Sequence, residues 1–356
     1  MRRALMGVVV SIVVSGAILV AATIHLASPK FDGRLADDPL ASLEIAPIDE
    51  AVTLARLHTG DPTVLLVVRS GADGLEAIDL QPMSGRRFRD AVEALEALGL
   101  DELTRIAGDP ASVRMLVRYA DLGLPIDAGH PHIAAGTNFV EHAEEVGRED
   151  GPFLFPKLSH ATAWNAAVPD RARLDYEVEI CAVTLAPHTA SAPSPLGYVL
   201  CNDFTDRWTL VRDMDLGGPM GVTGFPDGKG GDGMLTIGPL LVVPRDADAF
   251  YRDVSLELYV DGVLRQRGLG GQMIWSPTDI LAQALDVCAV EYSTERGPVF
   301  LTDCAGIPAR TLVLTGTPAG VLFHAVTLWS KQAYLTPGDE VVAVATHLGM
   351  LRNRVE

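Results

Sequence analysis

The stretch Leu174-Asp175-Tyr176-Glu177-Val178-Glu179-Ile180-Cys181-Ala182-Val183 constrains the fold most. β-Branched and apolar residues alternate through it at a period of two, which predicts a β-strand. Glu177 and Glu179 then leave the same face, with about 6.5–7 Å between their Cα atoms. Cys181 and Val183 continue that face, while Tyr176, Val178, Ile180 and Ala182 line the other. A solvated face would stay polar along its length. This one turns apolar directly after the two acids, which places the carboxylates at the mouth of a strand buried on both sides. Adjacent buried carboxylates repel one another and lose hydration unless a positive charge joins them. A divalent cation is the simplest such partner; a solvated strand end is the alternative.

With 356 residues, 48% of them apolar, the chain can fill one large or two modest globular units. A formal charge of −18 and a pI near 4.8 argue against nucleic-acid binding, which needs a basic footprint. At the N-terminus Arg2 and Arg3 precede a run from Ala4 to Ala27 in which His25 is the only strongly polar side chain. A helix of ~20 apolar residues crosses a bilayer, and positive charge ahead of it favours a cytoplasmic N-terminus. The expectation is a single-pass transmembrane helix within residues 1–27, with the catalytic domain outside the cytoplasm. Signal cleavage at Val20-Ala21-Ala22, followed by export, is the alternative. Residues 28–44, with Pro29, Gly33 and Asp37-Asp38-Pro39, read as a linker. Cys181, Cys201, Cys288 and Cys304 lack the Cys-x-x-Cys spacing of a zinc site. Their apolar contexts lead us to expect buried free thiols, although an exported chain would permit disulfides.

Residues 45–127 read as a small N-terminal domain. It has a strand at 63–68, a helix at 88–98 with Phe88, Val92, Leu95 and Leu98 at helical spacing, and a second helix at 112–122. It offers no evident chemistry. From His130 onward, short β-rich runs at 198–203, 235–244, 254–261, 311–315 and 340–347 are separated by Gly, Pro and Asp turns, with one helix at 277–287. This pattern predicts an α+β, mostly β chain built as a roll, barrel or sandwich, and disfavours a doubly wound sheet.

Further stretches carry candidate chemistry. His142 and Glu145 lie about one helical turn apart, so they can touch. A carboxylate against imidazole fixes the tautomer and raises its basicity, as a water-activating base requires; an incidental surface His is the alternative. The run Gly197 to Asp203 is an apolar strand ending in Asn202-Asp203, where Asp203 can supply a third oxygen ligand or simply close an Asx turn. The loop Gly224 to Gly231 carries Lys229 but lacks the Gly-Lys-Ser/Thr pattern of a phosphate loop. Lys229 can pair with a substrate carboxylate, or the loop can be flexible and exposed. Thr315-Gly316-Thr317-Pro318-Ala319-Gly320 follows a strand and can arrange a hydroxyl and backbone N–H groups around an anion, or form a plain turn. The segment from Leu335 to Arg354, with Pro337-Gly338-Asp339, reads as a structural turn and two closing strands.

In order and content these pieces resemble the fumarylacetoacetate hydrolase family. The matching motifs are Gly136-Thr-Asn-Phe-x-x-His142-x-x-Glu145, Phe155-Pro-Lys157, Asp175-Tyr-Glu-x-Glu179, Gly197-Tyr-x-x-x-Asn-Asp203, the Gly-Lys229 loop, Ile237-Gly-Pro239, Val260-Asp-Gly262 with Gln266, Thr315-Gly-Thr-Pro-Ala-Gly320 and Pro337-Gly-Asp339. They span residues 128–356, nearly two thirds of the chain. The resemblance implies a mixed β-roll that binds Mg²⁺, Mn²⁺ or Ca²⁺ through Glu177, Glu179 and Asp203. It implies a His142–Glu145 base dyad on a lid, a catalytic Lys229, and Arg207, Lys229 and Thr317 facing the substrate's oxygens. The metal would chelate a 1,3-dicarbonyl or 2-oxo acid and stabilise the enolate formed as a C–C bond breaks. Phe139, Trp208 and Leu210 depart from the residues usual at their positions, Tyr, Asp and Gln, and all three touch the pocket rather than the metal. The expected function is divalent-metal-dependent hydrolysis of a carbon–carbon bond in a β-diketo acid of acylpyruvate or fumarylpyruvate type, by a homodimer. A 2-oxo acid decarboxylase, isomerase or hydratase shares the enolate, and a non-catalytic membrane-tethered oxo-acid binder is the rival outside enzymes.

Overall fold

The strand predicted around the two glutamates lies at the centre of the fold, interrupted once. The computed structural model describes residues 21–23, 25–58, 62–71, 73–129, 131–148 and 150–356. In chain order, β1 (Ala51–Arg56), β2 (Val64–Gly71), β3 (Gly74–Asp79) and β4 (Arg114–Val117) belong to the first unit. They are followed by β5 (His132–Gly136), β6 (Phe153–Lys157), β7 (Leu174–Asp175), β8 (Val178–Thr184), β9 (Leu196–Asp203), β10 (Thr205–Asp206), β11 (Leu235–Ile237) and β12 (Leu240–Pro244). The remainder are β13 (Ser255–Val260), β14 (Val263–Leu269), β15 (Glu291–Thr294), β16 (Gly297–Phe300), β17 (Leu312–Leu314), β18 (Glu340–Ala345) and β19 (Gly349–Arg354).

One 11-stranded sheet runs β4-β3-β2-β1-β12-β9-β8-β17-β5-β6, with β11 pairing the end of β9. It is mixed, because β17 and β5 run parallel while their neighbours run antiparallel. A second sheet, β14-β13-β18-β19, has four strands. Every residue of β8 and β9 is buried, as apolar side chains on both faces require. The first unit continues the same sheet: β1 pairs β12 from Ala51–Pro244 to Ala55–Leu240.

Two expectations in the first unit need correction. The helix expected at 88–98 starts at Ala91, because Asp90 caps it by accepting from Glu93 N at 2.9 Å, and runs to Gly108 across a kink at Gly99 (φ 75°). Residues 112–122 are not a helix. Their core is β4, the edge strand beside β3, followed by a single 3₁₀ turn at Tyr119–Asp121. Pairing to a waiting sheet edge overrides a weak helical pattern.

The cysteines are not free. Cys181 is bonded to Cys201 and Cys288 to Cys304. In the β8–β9 register Cys201 stands opposite Glu179 and Cys181 opposite Val199, so the two sulfurs meet diagonally on one face. Cys181 and Cys201 are buried as expected, but Cys288 is half-buried and Cys304 exposed, so the expectation of burial fails for the second pair. The linker is also more ordered than its composition suggests. Leu35 N donates to Gly262 O at 2.9 Å and Leu264 N to Gly33 O at 3.2 Å, which lays residues 33–35 against β14. The expected transmembrane helix falls largely outside the described residues. Among the described residues no helix is long and apolar enough to cross a membrane.

The bridges close segments of 20 and 16 residues, and chain-entropy arguments give each about 2–4 kcal/mol. Thiol titration of the denatured, unreduced chain should find no free thiol, and reduction should release all four. Reduction should also lower the denaturant midpoint; a denatured chain that titrates four thiols without reductant would contradict both bridges.

Candidate active site and metal centre

The strand breaks at Tyr176 and Glu177 because flanking residues pull it two ways. β7 pairs with β10, while β8 pairs with β9. Between them, Glu177 N donates to Asn202 Oδ1 at 2.9 Å, Val178 N donates to Gln266 Oε1 at 3.0 Å, and Asp203 N donates to Glu177 O at 2.9 Å. Glu177 therefore leaves just before β8, Glu179 leaves from within it, and Asp203 closes β9. Their carboxylate oxygens come within 4.8 Å of one another, and all three side chains are buried.

Side-chain cations already touch this cluster. Lys229 Nζ donates to Glu177 Oε2 at 2.7 Å and to Asp203 Oδ2 at 2.8 Å. Arg207 Nε donates to Asp175 Oδ2 at 2.8 Å, and its Nη2 to Glu177 Oε1. Lys157 Nζ pairs with Asp203 Oδ1 and donates to Met234 O at 2.7 Å. Lys229 was expected to await a substrate carboxylate in a loop; the structure buries it and pairs it with two of the candidate metal ligands instead. Lys157 and Asp175 were not assigned roles from sequence. Their signal was their position: a charged residue directly after Phe155-Pro156, and an acid directly before the Glu-x-Glu strand.

Four buried acids (Asp175, Glu177, Glu179, Asp203) thus face three buried cations (Lys157, Arg207, Lys229). Burial raises the Glu177 carboxyl, but Lys229 and Arg207 outweigh it and bring its pKa down to about 2. Among the described residues no cation hydrogen-bonds Glu179, which accepts from Gly316 N at 2.7 Å. Burial, then the neighbouring Asp203 and Glu177, push its carboxyl well above the ordinary carboxylate range. An all-oxygen donor set with surplus negative charge fits a hard divalent cation.

The dyad stands beside this cluster. On the helix Val140–Glu145, His142 Nδ1 lies 3.2 Å from Glu145 Oε2. Gly320 N also donates to Glu145, at 3.1 Å to Oε2. Gly320 has φ 111°, and a Cβ there would lie 2.0 Å from Arg265 O, so this turn admits only glycine. The helix is tied to the Thr315–Gly316 turn through Asn138, whose Nδ2 donates to Thr315 O at 2.8 Å. Burial raises the Glu145 carboxyl, but His142 and Lys30 outweigh it and bring its pKa to about 2. Thr317 differs from expectation. Its hydroxyl donates to Val178 O at 2.8 Å and accepts from Gln266 Nε2 at 2.8 Å, so it braces the frame and offers no free donor to a substrate.

A cavity of about 300 Å³ opens here, lined by His142, Glu177, Arg207, Lys229 and Thr317. Leu210, Val211, Met214, Met220 and Phe225 complete an apolar part of its wall. Glu145 reaches the cavity through His142.

A carboxylate cluster that can hold a divalent cation, next to a His–Glu dyad in a mixed, mostly β sheet, defines an enzyme-type pocket. The family model for the fumarylacetoacetate (FAA) hydrolase C-terminal region matches residues 131–356. The chain therefore belongs to the fumarylacetoacetate hydrolase family. It is 26% identical over 299 residues to the 2,4-didehydro-3-deoxy-L-rhamnonate hydrolase of a Sphingomonas species, covering 81% of this chain and 94% of that one. It is 25% identical over 242 residues to the 4-hydroxyphenylacetate degradation bifunctional isomerase/decarboxylase of Escherichia coli, covering 64% and 47% respectively. The fold matches that of the fumarylacetoacetate hydrolase from psychrophilic Exiguobacterium antarcticum, with a TM-score of 0.61, 22% identity, and 86% and 99% of the two chains covered.

Glu177→Gln, Glu179→Gln and Asp203→Asn should each weaken Mg²⁺ or Mn²⁺ binding at least ~10-fold in calorimetric titration, because each removes one negative charge from the ligand set while keeping its shape. Unchanged affinity in all three would exclude the triad as a metal centre. The dyad carries a separate acid signature. Because Glu145's folded pKa of about 2 lies below its ordinary 4.5, its pairing stabilises the fold above that ordinary value and is lost as pH falls towards 2. Glu145→Gln should flatten the loss of stability over that window in pH-dependent denaturation.

Proposed function

We propose that this chain is a divalent-metal-dependent hydrolase that cleaves a carbon–carbon bond in a β-diketo acid of the acylpyruvate type. The observation that carries this reading is a candidate cation triad and a His–Glu dyad converging on one cavity. A divalent cation bound at Glu177, Glu179 and Asp203 would act as a Lewis acid for the substrate's oxygens and the negative charge that develops on them. The side chains account for the remaining steps. Glu145 accepts the Nδ1–H of His142, which leaves Nε2 to take a proton from water. The hydroxide adds to the acyl carbonyl carbon. The bond from that carbon to the central methylene breaks, its electron pair passes to the pyruvyl half, and the proton on His142 returns to the methylene carbon. The products are pyruvate and a carboxylic acid, which ionises and releases a proton to solvent. Arg207 and Lys229 bring positive charge to the wall that meets the oxo-acid end. The name of the Sphingomonas relative denotes hydrolysis of a 2,4-dioxo acid, which supports the same substrate class.

A second reading, 2-oxo acid decarboxylation or isomerisation, is favoured by the bifunctional relative from E. coli. Decarboxylation needs no attacking water and therefore no base at His142, whereas isomerisation still needs a base to move a proton between carbons. A non-catalytic binder would need the cation and the pocket but not the dyad. We further propose that the chain is a membrane-tethered homodimer with its catalytic domain outside the cytoplasm. The two disulfides support an oxidising compartment, and Arg2 and Arg3 ahead of the apolar run support that orientation. Met115 and Leu116 in the edge strand β4, with Val113 just before it, are exposed apolar residues and support self-association; protease accessibility in intact cells and sedimentation test the two points.

His142→Ala should lower kcat on an acylpyruvate by ~10²–10⁴-fold, the usual contribution of a general base, with metal affinity nearly unchanged. Activity on oxaloacetate that survives this substitution while acylpyruvate hydrolysis is lost would favour the decarboxylase. The apolar wall adds a second expectation. Each methylene added to the acyl chain should raise kcat/KM about 3–4-fold until the cavity is full, following ~0.8 kcal/mol per buried methylene. A flat chain-length profile would remove the apolar wall from substrate recognition.

A further inference from the structure

The His142–Glu145 dyad has a third member that lies outside the family-matched region. Lys30, in the segment between the apolar N-terminal run and the small domain, sets its ammonium on Glu145 Oε1. The Glu145 side chain is 2% exposed and that of Lys30 41%, so a surface lysine reaches in to a buried carboxylate. The backbone that carries Lys30 is fastened on both sides. Arg265 Nη1 donates to Ala27 O at 2.7 Å, and the Gly33 and Leu35 bonds to the turn at Gly262 and to Leu264 follow after Lys30.

We infer that Lys30 is a positioning residue for the dyad: its ammonium fixes the Glu145 carboxylate as the acceptor for His142 and favours the unprotonated, base-competent form of the pair. This rests on the reading of His142 as the general base. The geometry is a division of labour between the two carboxylate oxygens. Oε1 takes Lys30, Oε2 takes His142 Nδ1, and Gly320 N–H spans both, at 3.2 and 3.1 Å. A carboxylate held at both oxygens does not turn about its terminal bond, and a preoriented acceptor holds the imidazole in one tautomer and one orientation.

The charge balance points the same way. Tyr176 and His324 lie within electrostatic reach of Glu145, and Glu177 within reach of His142. Burial disfavours the ionised forms of Tyr176 and His324, so neither carries charge to Glu145 near neutrality. Glu177, an anion, lies within reach of His142, and Lys30 sets an opposing positive charge on the dyad's carboxylate. Removing it makes the dyad easier to protonate, so the acidic limb of the activity profile moves to higher pH.

The test uses the full chain as wild type, Lys30→Met, Lys30→Arg, Glu145→Gln and the Lys30→Met/Glu145→Gln double variant. Carboxyl ¹³C resonances, with Glu145 assigned by its loss in Glu145→Gln, give its titration without any substrate. In Lys30→Met the Glu145 midpoint should rise by roughly 0.5–1 pH unit, a charge effect reduced by the exposure of Lys30, and Lys30→Arg should restore it. The acidic limb of kcat on the fastest acylpyruvate should move up by a similar amount while KM changes little. The double variant should match Glu145→Gln, because both substitutions act through one carboxylate. An unmoved Glu145 midpoint in Lys30→Met overturns the proposal, as does a moved midpoint with an unmoved kcat profile where Glu145→Gln is impaired. A Glu145→Gln variant with unchanged kcat instead overturns the general-base reading itself, and with it any catalytic role for Lys30.

Discussion

The fold depends on its solution to one electrostatic problem: four carboxylates buried together around the break between β7 and β8 and the end of β9. At low dielectric, like charges this close cannot all ionise unless cations or donors meet them. Lys157 arrives from the end of β6, Arg207 from the start of a helix capped by Asp206, and Lys229 from a short helical turn after Pro226. Elements distant in sequence are therefore committed to one point. Removing one partner from such a cluster costs about 3–5 kcal/mol, because the other charge is left buried and uncompensated. Glu179 is the acid of the triad with no cation at hydrogen-bond distance among the described residues, and a dication held by Glu177, Glu179 and Asp203 would complete the balance there.

Much of this was legible in the sequence because the strands are short and their turns explicit. The Glu-x-Glu pair, Asp203 at the end of an apolar strand, and the His142–Glu145 spacing all depend on local periodicity, and the structure brings these residues together. What was missed depends on register and on distant partners. The pairing of Cys181 with Cys201 follows from the stagger of β8 against β9, which no local pattern reports. The false helix at 112–122 arose because a sheet edge formed by β3 was invisible from that segment alone. Lys229 and Thr317 were read as facing the substrate; both line the cavity, but their polar atoms already serve the acids and the β8 backbone. A residue's type gives its chemical capacity, and its packing decides which partner takes it up.

The small first unit is more than an appendage. Its β1 extends the central sheet through β12, and the Asp90 that caps its longest helix also receives Arg310 Nε at 2.7 Å. Arg310 closes the turn leading into β17, the strand beside β8. One carboxylate thereby links a helix N-terminus of the first unit to the neighbour of the candidate metal strand. Burial opposes ionisation of Asp90, but the hydrogen bonds from Arg310 and the backbone prevail and hold its carboxyl below the usual range. This charge, unlike those of the acid cluster, is fully met by its own partners.

A triad of buried acids that could hold a cation gains from being held together by the protein itself, and the seven-pair β8–β9 ladder does much of this. The Cys181–Cys201 bridge stands where that constraint is most effective. Cys181 follows Glu179 by two residues on β8, and Cys201 precedes Asp203 by two on β9, so the bridge clamps the two strands directly beneath the acids they present. Lys229 adds a second clamp from above by spanning Glu177 and Asp203. With the strands locked covalently and the carboxylates spanned by an ammonium, the oxygen cluster is preorganised before any cation arrives. A divalent cation binding at this triad would meet ligands already assembled, and little of its binding free energy would be consumed in gathering them.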